Sequence, residues 1–488
     1  MRTMLLCGGA AFGAVFIFGL PAASAQPTTL DQALVAAYQT NPELLGERAN
    51  LNAVAEGVPK ALSGWRPTVV LSGSAGYTTA TERTLAPATL FSPSGPQFSD
   101  LDRDTATGQA TLTQPIFEGG KTRNSVFQAQ NLLRAERAQL IATEQQVFGS
   151  VALAYVGVIE NRALVAVNQS NVTVLQEQLR SSEDRFRVGE LTQTDVAQAQ
   201  AALALGQSQL ETAKGNLQTA LATYLQVVGQ PAAAKLANPQ PLMLPVHSAP
   251  AADAAAAANN PTVINALFNV AAAKNAVNVA FGSLMPSVSL QANAFQETNP
   301  LQANSRLGGW SVTANLSVPL YQGGGEYASV RQAKQEQDKA VATLDNARRT
   351  AVQQASQAWQ TLVAAEAAIA SAKAAVSANR IALEGTERQA IVGTATTLDV
   401  LTVQQNLLNS ETTLVQNLAS FITASYGVAA AIGRLTAHDL KLPVSYYDEN
   451  AYYRSVQNAW VGVGGPALTN DTTPEGLPLP PAPPASRH

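Results

Sequence analysis

At 488 residues the chain is long enough for several domains, yet no internal linker rich in Pro, Gly and Ser divides it. Only 13% of residues are charged and 6% aromatic, with Ala and Gln conspicuous, which suits long helices with narrow apolar seams better than one thick core. A net charge of −4 supplies no basic footprint and argues against nucleic acid as a partner.

The N-terminus carries Arg2, an apolar run from Met4 to Leu20 and a small-residue site at Ala23-Ser24-Ala25, the pattern of an export signal over residues 1–25. The single cysteine, Cys7, falls inside the removed part, too early in the apolar run to become a lipid-anchored terminus, so the mature chain is expected to lack disulfides. No run of about 18 apolar residues follows, so no transmembrane helix is expected and any membrane crossing would fall to strands.

From Thr28 a short helix places Leu30, Ala33, Leu34, Ala37 and Tyr38 on one face, and after Asn41-Pro42-Glu43 a helical pattern continues to about Leu62. Strand-like alternation follows. Val69, Leu71, Gly73, Ala75 and Tyr77 lie opposite Ser72 and Ser74, and Ala106, Gly108, Ala110 and Leu112 lie opposite Thr105, Thr107, Gln109, Thr111 and Thr113. These segments predict strands at about 66–78 and 104–117, with Thr78 to Asp104 as an exposed loop.

The stretch Thr113 to Lys121 then reads as a corner from strand to helix, with Pro115 near the strand end and Gly119-Gly120 in the turn. Helices are predicted over 121–188 and 194–228, the first ending at Val188-Gly189 with glycine as a left-handed cap. A Pro/Ala connector, 231–252, is expected to be irregular from Pro231 to Pro250.

The same order then recurs in 253–434. It runs through Asn260-Pro261, strands at about 286–296 and 309–320, a corner holding Pro319, Gly323 and Gly324, and helices over 325–392 and 397–432 that meet at Val392-Gly393. In these strands Val288, Leu290, Ala292 and Ala294, and Trp310, Val312, Ala314, Leu316 and Val318, form the apolar sides. Pro115 and Pro319, Gly189 and Gly393, and Gly229 and Gly433 are each 204 residues apart, so 26–230 and 253–434 are expected to be two copies of one structural repeat. Residues 435–488 form a C-terminal segment whose Pro-rich stretch from Pro474 is expected to be disordered.

Four strands cannot close a barrel, and open sheet edges in lipid cost several kcal/mol per unpaired group. Two chains would give eight strands and a filled interior; three would give 12 and an open bore. The fold class predicted is therefore an α+β membrane protein, a homotrimer whose 12-stranded barrel continues into an α-helical barrel. Two readings without a pore remain open: four strands of a soluble sandwich, and an exported coiled-coil scaffold. An enzyme is not expected, because His247, His438 and His488 are scattered and no phosphate loop or nucleophile elbow is present. No cofactor or metal is expected.

The doubled unit, the Gly-Gly corners, and the stretches from Arg185 through Val188-Gly189 to Asp195-Val196 and from Arg388 through Val392-Gly393 to Asp399-Val400 resemble the TolC family of outer-membrane efflux proteins. The resemblance covers about residues 28–440. It implies a trimeric channel-tunnel in the outer membrane that reaches through the periplasm. It also implies two partners, a periplasmic adaptor and an inner-membrane transporter of RND, ABC or MFS type, with export of drugs or proteins.

By matching motif, Val188, Gly189, Glu190, Leu191, Val392, Gly393 and Thr394 become candidates for adaptor contact, and Asp195, Asp399 and Thr402 for the periplasmic entrance. From the residues alone, the glycines read as helix caps and the aspartates as capping or dipole-compensating groups. The family pattern places a second Asp where this chain has Thr402, an Arg at Ala395 and a Tyr at Ala390. The resemblance therefore implies an entrance less sensitive to multivalent cations and closed by other contacts.

Overall fold

A computed structural model describes residues 27–86, 95–300 and 304–463. The expected export signal and the Pro-rich stretch from Pro474 lie outside the described residues. In chain order the elements are α1 (Leu30–Thr40), α2 (Pro42–Ala55), α3 (Gly57–Leu62), a 3-10 turn (Ser63–Trp65), β1 (Thr68–Ala86), β2 (Gly95–Glu118), α4 (Lys121–Arg187) and α5 (Gln193–Val228). They continue with α6 (Ala249–Asn259), α7 (Pro261–Gly282), β3 (Ser287–Thr298), β4 (Arg306–Ser317), α8 (Gly325–Ile391), α9 (Thr397–Ala431) and α10 (Ala451–Val456).

Short polar residues set the helix starts. Thr29 and Gln32 close a capping box on α1. Asn41 caps α2 through Oδ1 while its Nδ2 donates to the Val227 carbonyl at the end of α5, 3.1 Å away. Asn260 treats α7 and the Ala431 carbonyl of α9 the same way, also at 3.1 Å. Each asparagine thus satisfies the start of one helix and the end of another.

Helices α4 and α8 are 67 residues each, so at about 1.5 Å per residue each is roughly 100 Å long. Such lengths need lateral partners. α4 packs against α2, α3 and α7 toward the strands and against α5 toward the tip; α8 packs against α7 and α9 in the same manner.

Each long helix holds an 18-residue window apolar enough by composition to cross a membrane, with mean hydropathy 1.5 in α4 and 1.3 in α8. By length and composition this corrects the expectation that no such helix is available, because alanine and scattered polar residues dilute the apolar pattern without lowering its mean. In α4, Phe148, Val151, Tyr155 and Val158 are fully buried in the largest apolar cluster with Leu34, Leu44, Leu51 and Tyr224, yet only 33% of the α4 window and 22% of the α8 window is buried, so packing inside the chain covers the smaller part of each.

The connector and the C-terminal segment meet that cluster. Tyr155 Oη lies 2.9 Å from the Thr28 carbonyl and 2.8 Å from that of Ala237. The connector is irregular only as far as Ser248, which caps α6, so Pro250 falls in the first helical turn, where its missing N–H costs nothing. After Gly433 the chain returns to α4 and α1: the Ala437 N–H donates to Glu144 at 2.6 Å and Tyr447 N–H to Tyr38 Oη at 3.0 Å.

The sheet is antiparallel in the order β1-β2-β3-β4. Two expectations need correction. The stretch from Thr78 to Asp104 is not a loop over most of its length: pairing continues from Thr78↔Arg103 to Ala86↔Gly95, with residues 87–94 outside the described residues. Repeated threonines favour the extended backbone there although no apolar alternation marks it. The two corner prolines also differ: Pro115 lies within β2 at a bulge before Phe117, whereas Pro319 follows the end of β4.

Candidate functional site

Register makes the sheet two-faced. Along one set of rungs Leu71 pairs with Ala110, Ala110 with Ala294, and Ala294 with Trp310; the next set joins Val69, Leu112, Ala292 and Val312. Between them run Val70, Thr111, Asn293 and Ser311, and beside them Thr68, Thr113, Gln291 and Thr313, polar but for Val70. The apolar rungs are open to solvent in the single chain, with Leu71 83% and Trp310 79% exposed. The other face is polar and hydrogen-bonded: Asn293 Oδ1 accepts from Thr111 Oγ1 at 2.6 Å and from Gln109 Nε2 at 3.1 Å. One face suits lipid and the other water. β3 and β4 have 12 residues each, about 40 Å of strand, enough to cross a hydrocarbon layer of about 30 Å when tilted.

The corners at the base of the sheet put Gly119 and Gly120 at φ 60° and 81°, and Gly323 and Gly324 at 68° and 84°. They are not packed alike. A Cβ on Gly119 would lie 2.3 Å from Met285 Cβ and 2.7 Å from the Gly282 carbonyl, so glycine is needed there for close approach of the two hairpins. A Cβ on Gly323 or Gly324 would meet no other side chain or backbone within 4 Å.

At the other end, roughly 100 Å away, α4 and α8 finish in the same motif. Gly189 at φ 80° donates to the Phe186 carbonyl at 3.0 Å and Glu190 N–H to that of Arg185 at 2.9 Å. Gly393, also at φ 80°, donates to Ala390 at 3.3 Å and Thr394 N–H to Gln389 at 2.9 Å. These are Schellman caps, which need a left-handed residue. Val188, Glu190, Val392 and Thr394 are exposed and Leu191 is half-buried. The tips are joined: Arg185 pairs with Glu190 at 3.0 Å and reaches the Ala390 carbonyl at 3.4 Å. Arg185 was quoted in the motif, but its bridging role had no sequence signal.

Asp195 and Asp399 both close capping boxes. Asp195 Oδ2 accepts from the Thr192 N–H at 3.0 Å and its own N–H donates to Thr192 Oγ1 at 3.3 Å. The matching distances for Asp399 and Thr396 are 2.9 and 3.2 Å. Hydrogen bonds from the Thr192 hydroxyl and N–H hold the Asp195 carboxyl below its usual range, with a further bond from the Thr397 hydroxyl of the neighbouring helix. The Thr396 N–H and hydroxyl do the same for Asp399. Both carboxylates are therefore charged at neutral pH, and each keeps Oδ1 outside its capping box. Thr402 is exposed one turn on, its hydroxyl on the Leu398 carbonyl at 2.8 Å.

The tip residues, adaptor and entrance candidates alike, thus share one end of the molecule, and Pro115, Gly119, Gly120, Pro319, Gly323 and Gly324 share the other. Among the described residues no cluster of His, Cys, Asp and Glu could hold a metal ion.

Comparison with known proteins places this arrangement. Residues 33–230 and 254–434 match the family described as outer membrane efflux protein. Outer membrane efflux protein BepC of Brucella suis biovar 1 is 34% identical over 445 residues, 90% of this chain and 92% of that protein. Outer membrane protein TolC of Escherichia coli K12 is 25% identical over 453 residues, 87% of each chain. Among solved structures, the outer membrane protein VceC of Vibrio cholerae superposes with a TM-score of 0.71 at 22% identity, covering 83% of this chain and 96% of that one.

Proposed function

This chain belongs to the outer membrane efflux protein family, and from that premise we propose how it assembles and opens. It is an outer-membrane protein extending into the periplasm, the exit duct of a multicomponent export system, and not an enzyme. In our reading three copies close one barrel: β1 of each pairs with β4 of the next, which removes the unpaired edges that lipid would not tolerate. The apolar rungs through Leu71 and Trp310 face lipid and the polar rungs line a water-filled bore. The two halves act as copies of one unit, so the ring has pseudo-sixfold walls.

The observation that carries the proposal is the apolar band that crosses all four strands through the Val69 and Leu71 rungs and is bounded by two unpaired edges. The empty space at Gly323 and Gly324 supports it. In the closed ring the neighbouring copy's Ser63–Trp65 turn would stand there, as Gly282 to Met285 stand against Gly119.

At the tips, we assign Asp195, Asp399 and Thr402 to the periplasmic entrance, where threefold symmetry makes each carboxylate a ring that favours cations. Arg185 on the Ala390 carbonyl supplies a closing contact inside each copy. The exposed turns around Val188, Gly189 and Glu190, with Leu191, and around Val392, Gly393 and Thr394, receive a periplasmic adaptor, which couples the duct to an inner-membrane transporter. Solutes then pass by passive conduction.

Disulfide trapping tests closure, since Cys7 is the only native cysteine and lies in the expected signal. Cysteine pairs, one within residues 70–76 of β1 and one within 311–317 of β4, should give linked species that stop at three chains. A ladder that stays at one chain, or runs past three, would contradict the closed ring.

A further inference from the structure

The C-terminal segment does not leave the molecule at Gly433. It climbs beside α2 toward the sheet, bonding in turn to Glu144, to Tyr38 and Asn52, to Glu56, and finally to Arg66, two residues before β1. The Tyr447 hydroxyl donates to Asn52 Oδ1 at 3.1 Å and that of Tyr452 to Glu56 Oε1 at 2.7 Å. Arg66 donates to the Ala459 carbonyl and its guanidinium lies 4.9 Å from the Trp460 ring centroid. Among the described residues nothing covers the chain beyond that contact: Trp460 is 66% exposed, Val461 93%, and Val463 fully.

The surroundings share one chemistry. Trp65 is half exposed, and its carbonyl accepts from Gln114 Nε2 at 2.9 Å, which ties it to the base of β2 where Ile116 and Phe117 are exposed. Lys60, Lys121 and Arg123 are exposed nearby in the chain, and Arg123 lies 5.5 Å from the Phe127 ring centroid. The acidic residue of this corner, Glu118, is engaged by the Thr122 hydroxyl. Aromatic rings and cations at the end of an apolar sheet face are the chemistry of a membrane–water boundary.

We propose that Trp460, Val461 and Val463 form a lipid-interface anchor, seated in the phospholipid headgroup region of the leaflet that faces the periplasm, with Arg66 at the level of the phosphates. The strap from Ala437 to Ala459 fixes the anchor in place before any lipid is met, so little ordering remains to oppose docking. On the tunnel side the same residues would hold a Trp and two Val side chains in water, forgoing the burial that a bilayer interface offers. The anchor extends the membrane contact of the sheet onto a part of the chain that is not a strand. It rests on the reading that the sheet spans the outer membrane, and the test separates the two.

The chain has four tryptophans, Trp65, Trp310, Trp359 and Trp460. Two full-length forms, one keeping only Trp460 and one only Trp310, with Phe at the other three positions, are reconstituted into phosphatidylethanolamine/phosphatidylglycerol vesicles. The lipids carry bromine either near the headgroup or deep in the acyl chain. Trp460 emission should fall with shallow bromine and resist aqueous iodide, while Trp310 emission falls with bromine on the acyl chains. If Trp310 is quenched and Trp460 is not, the anchor is wrong and the sheet reading stands. Iodide then tells whether Trp460 faces water or lies between copies. Two unquenched tryptophans would overturn both.

Discussion

Asp399 commits one carboxylate oxygen to the start of α9, where Oδ2 accepts from the Thr396 N–H and hydroxyl, and these bonds keep the group charged well into mild acid. A ring of three such charges should bind multivalent cations. In single-channel recordings Asp399→Ala should weaken their block by about tenfold, because the proposed threefold ring loses all three of its charges at once. Equal block in both proteins would remove the ring from the account. A second carboxyl acts on stability. Burial, then the neighbouring Glu47, push Glu136 of α4 up to about 7, against the opposing hydrogen bond from Asn50. A carboxyl with a raised folded-state pKa takes up protons on folding. Its penalty is absent below the ordinary value of 4.5, grows as pH rises through about 7 and is complete above it. Glu136→Gln should therefore flatten the pH dependence of thermal unfolding over this window and raise Tm on its alkaline side. A variant with the wild-type slope would refute the assignment.

Glycine at a corner between elements is either a packing requirement or a free turn, and the two corners differ. Gly119→Ala combines a positive φ with a methyl driven into Met285 and the Gly282 carbonyl, so it should destabilise the chain by about 2–4 kcal/mol. Gly323→Ala meets open space and should cost only about 1 kcal/mol in the separated chain, with a larger loss in the assembled form. Denaturant unfolding of detergent-dispersed chains, beside the yield of linked trimer, reads both; equal costs would contradict the packing difference. Much at this scale was legible in the sequence. Period-two alternation marked Val69 to Tyr77 and Ser287 to Ala294 because one side of each is apolar. Val-Gly pairs marked the ends of α4 and α8 because a left-handed cap admits few other residues. The outer part of the first hairpin gives no such signal, because Thr78, Thr79 and Thr81 on one strand and Asp100, Asp102 and Asp104 on the other leave neither with an apolar side. The C-terminal strap was missed for another reason: Tyr447 and Tyr452 are fixed by single hydrogen bonds to distant Tyr38, Asn52 and Glu56, which leave no period in the chain.

The whole molecule is an incomplete object on its own. Its sheet has two open edges and an apolar face in water, and α8 buries far fewer residues than α4 although the two are equal in length. In the proposed trimer neighbours would supply the burial that one chain lacks, and the proposed number of copies rests on closure and not on any single residue. That is why architecture was readable from strand length, helix length and recurrence, while the bridge from Arg185 to Ala390 and the anchoring of Trp460 needed coordinates. Purified full-length protein added to a planar lipid bilayer should insert as a trimer and give discrete single-channel steps, cation-selective and reduced in selectivity by Asp399→Ala. Protein that remains monomeric and leaves the bilayer non-conducting would contradict it.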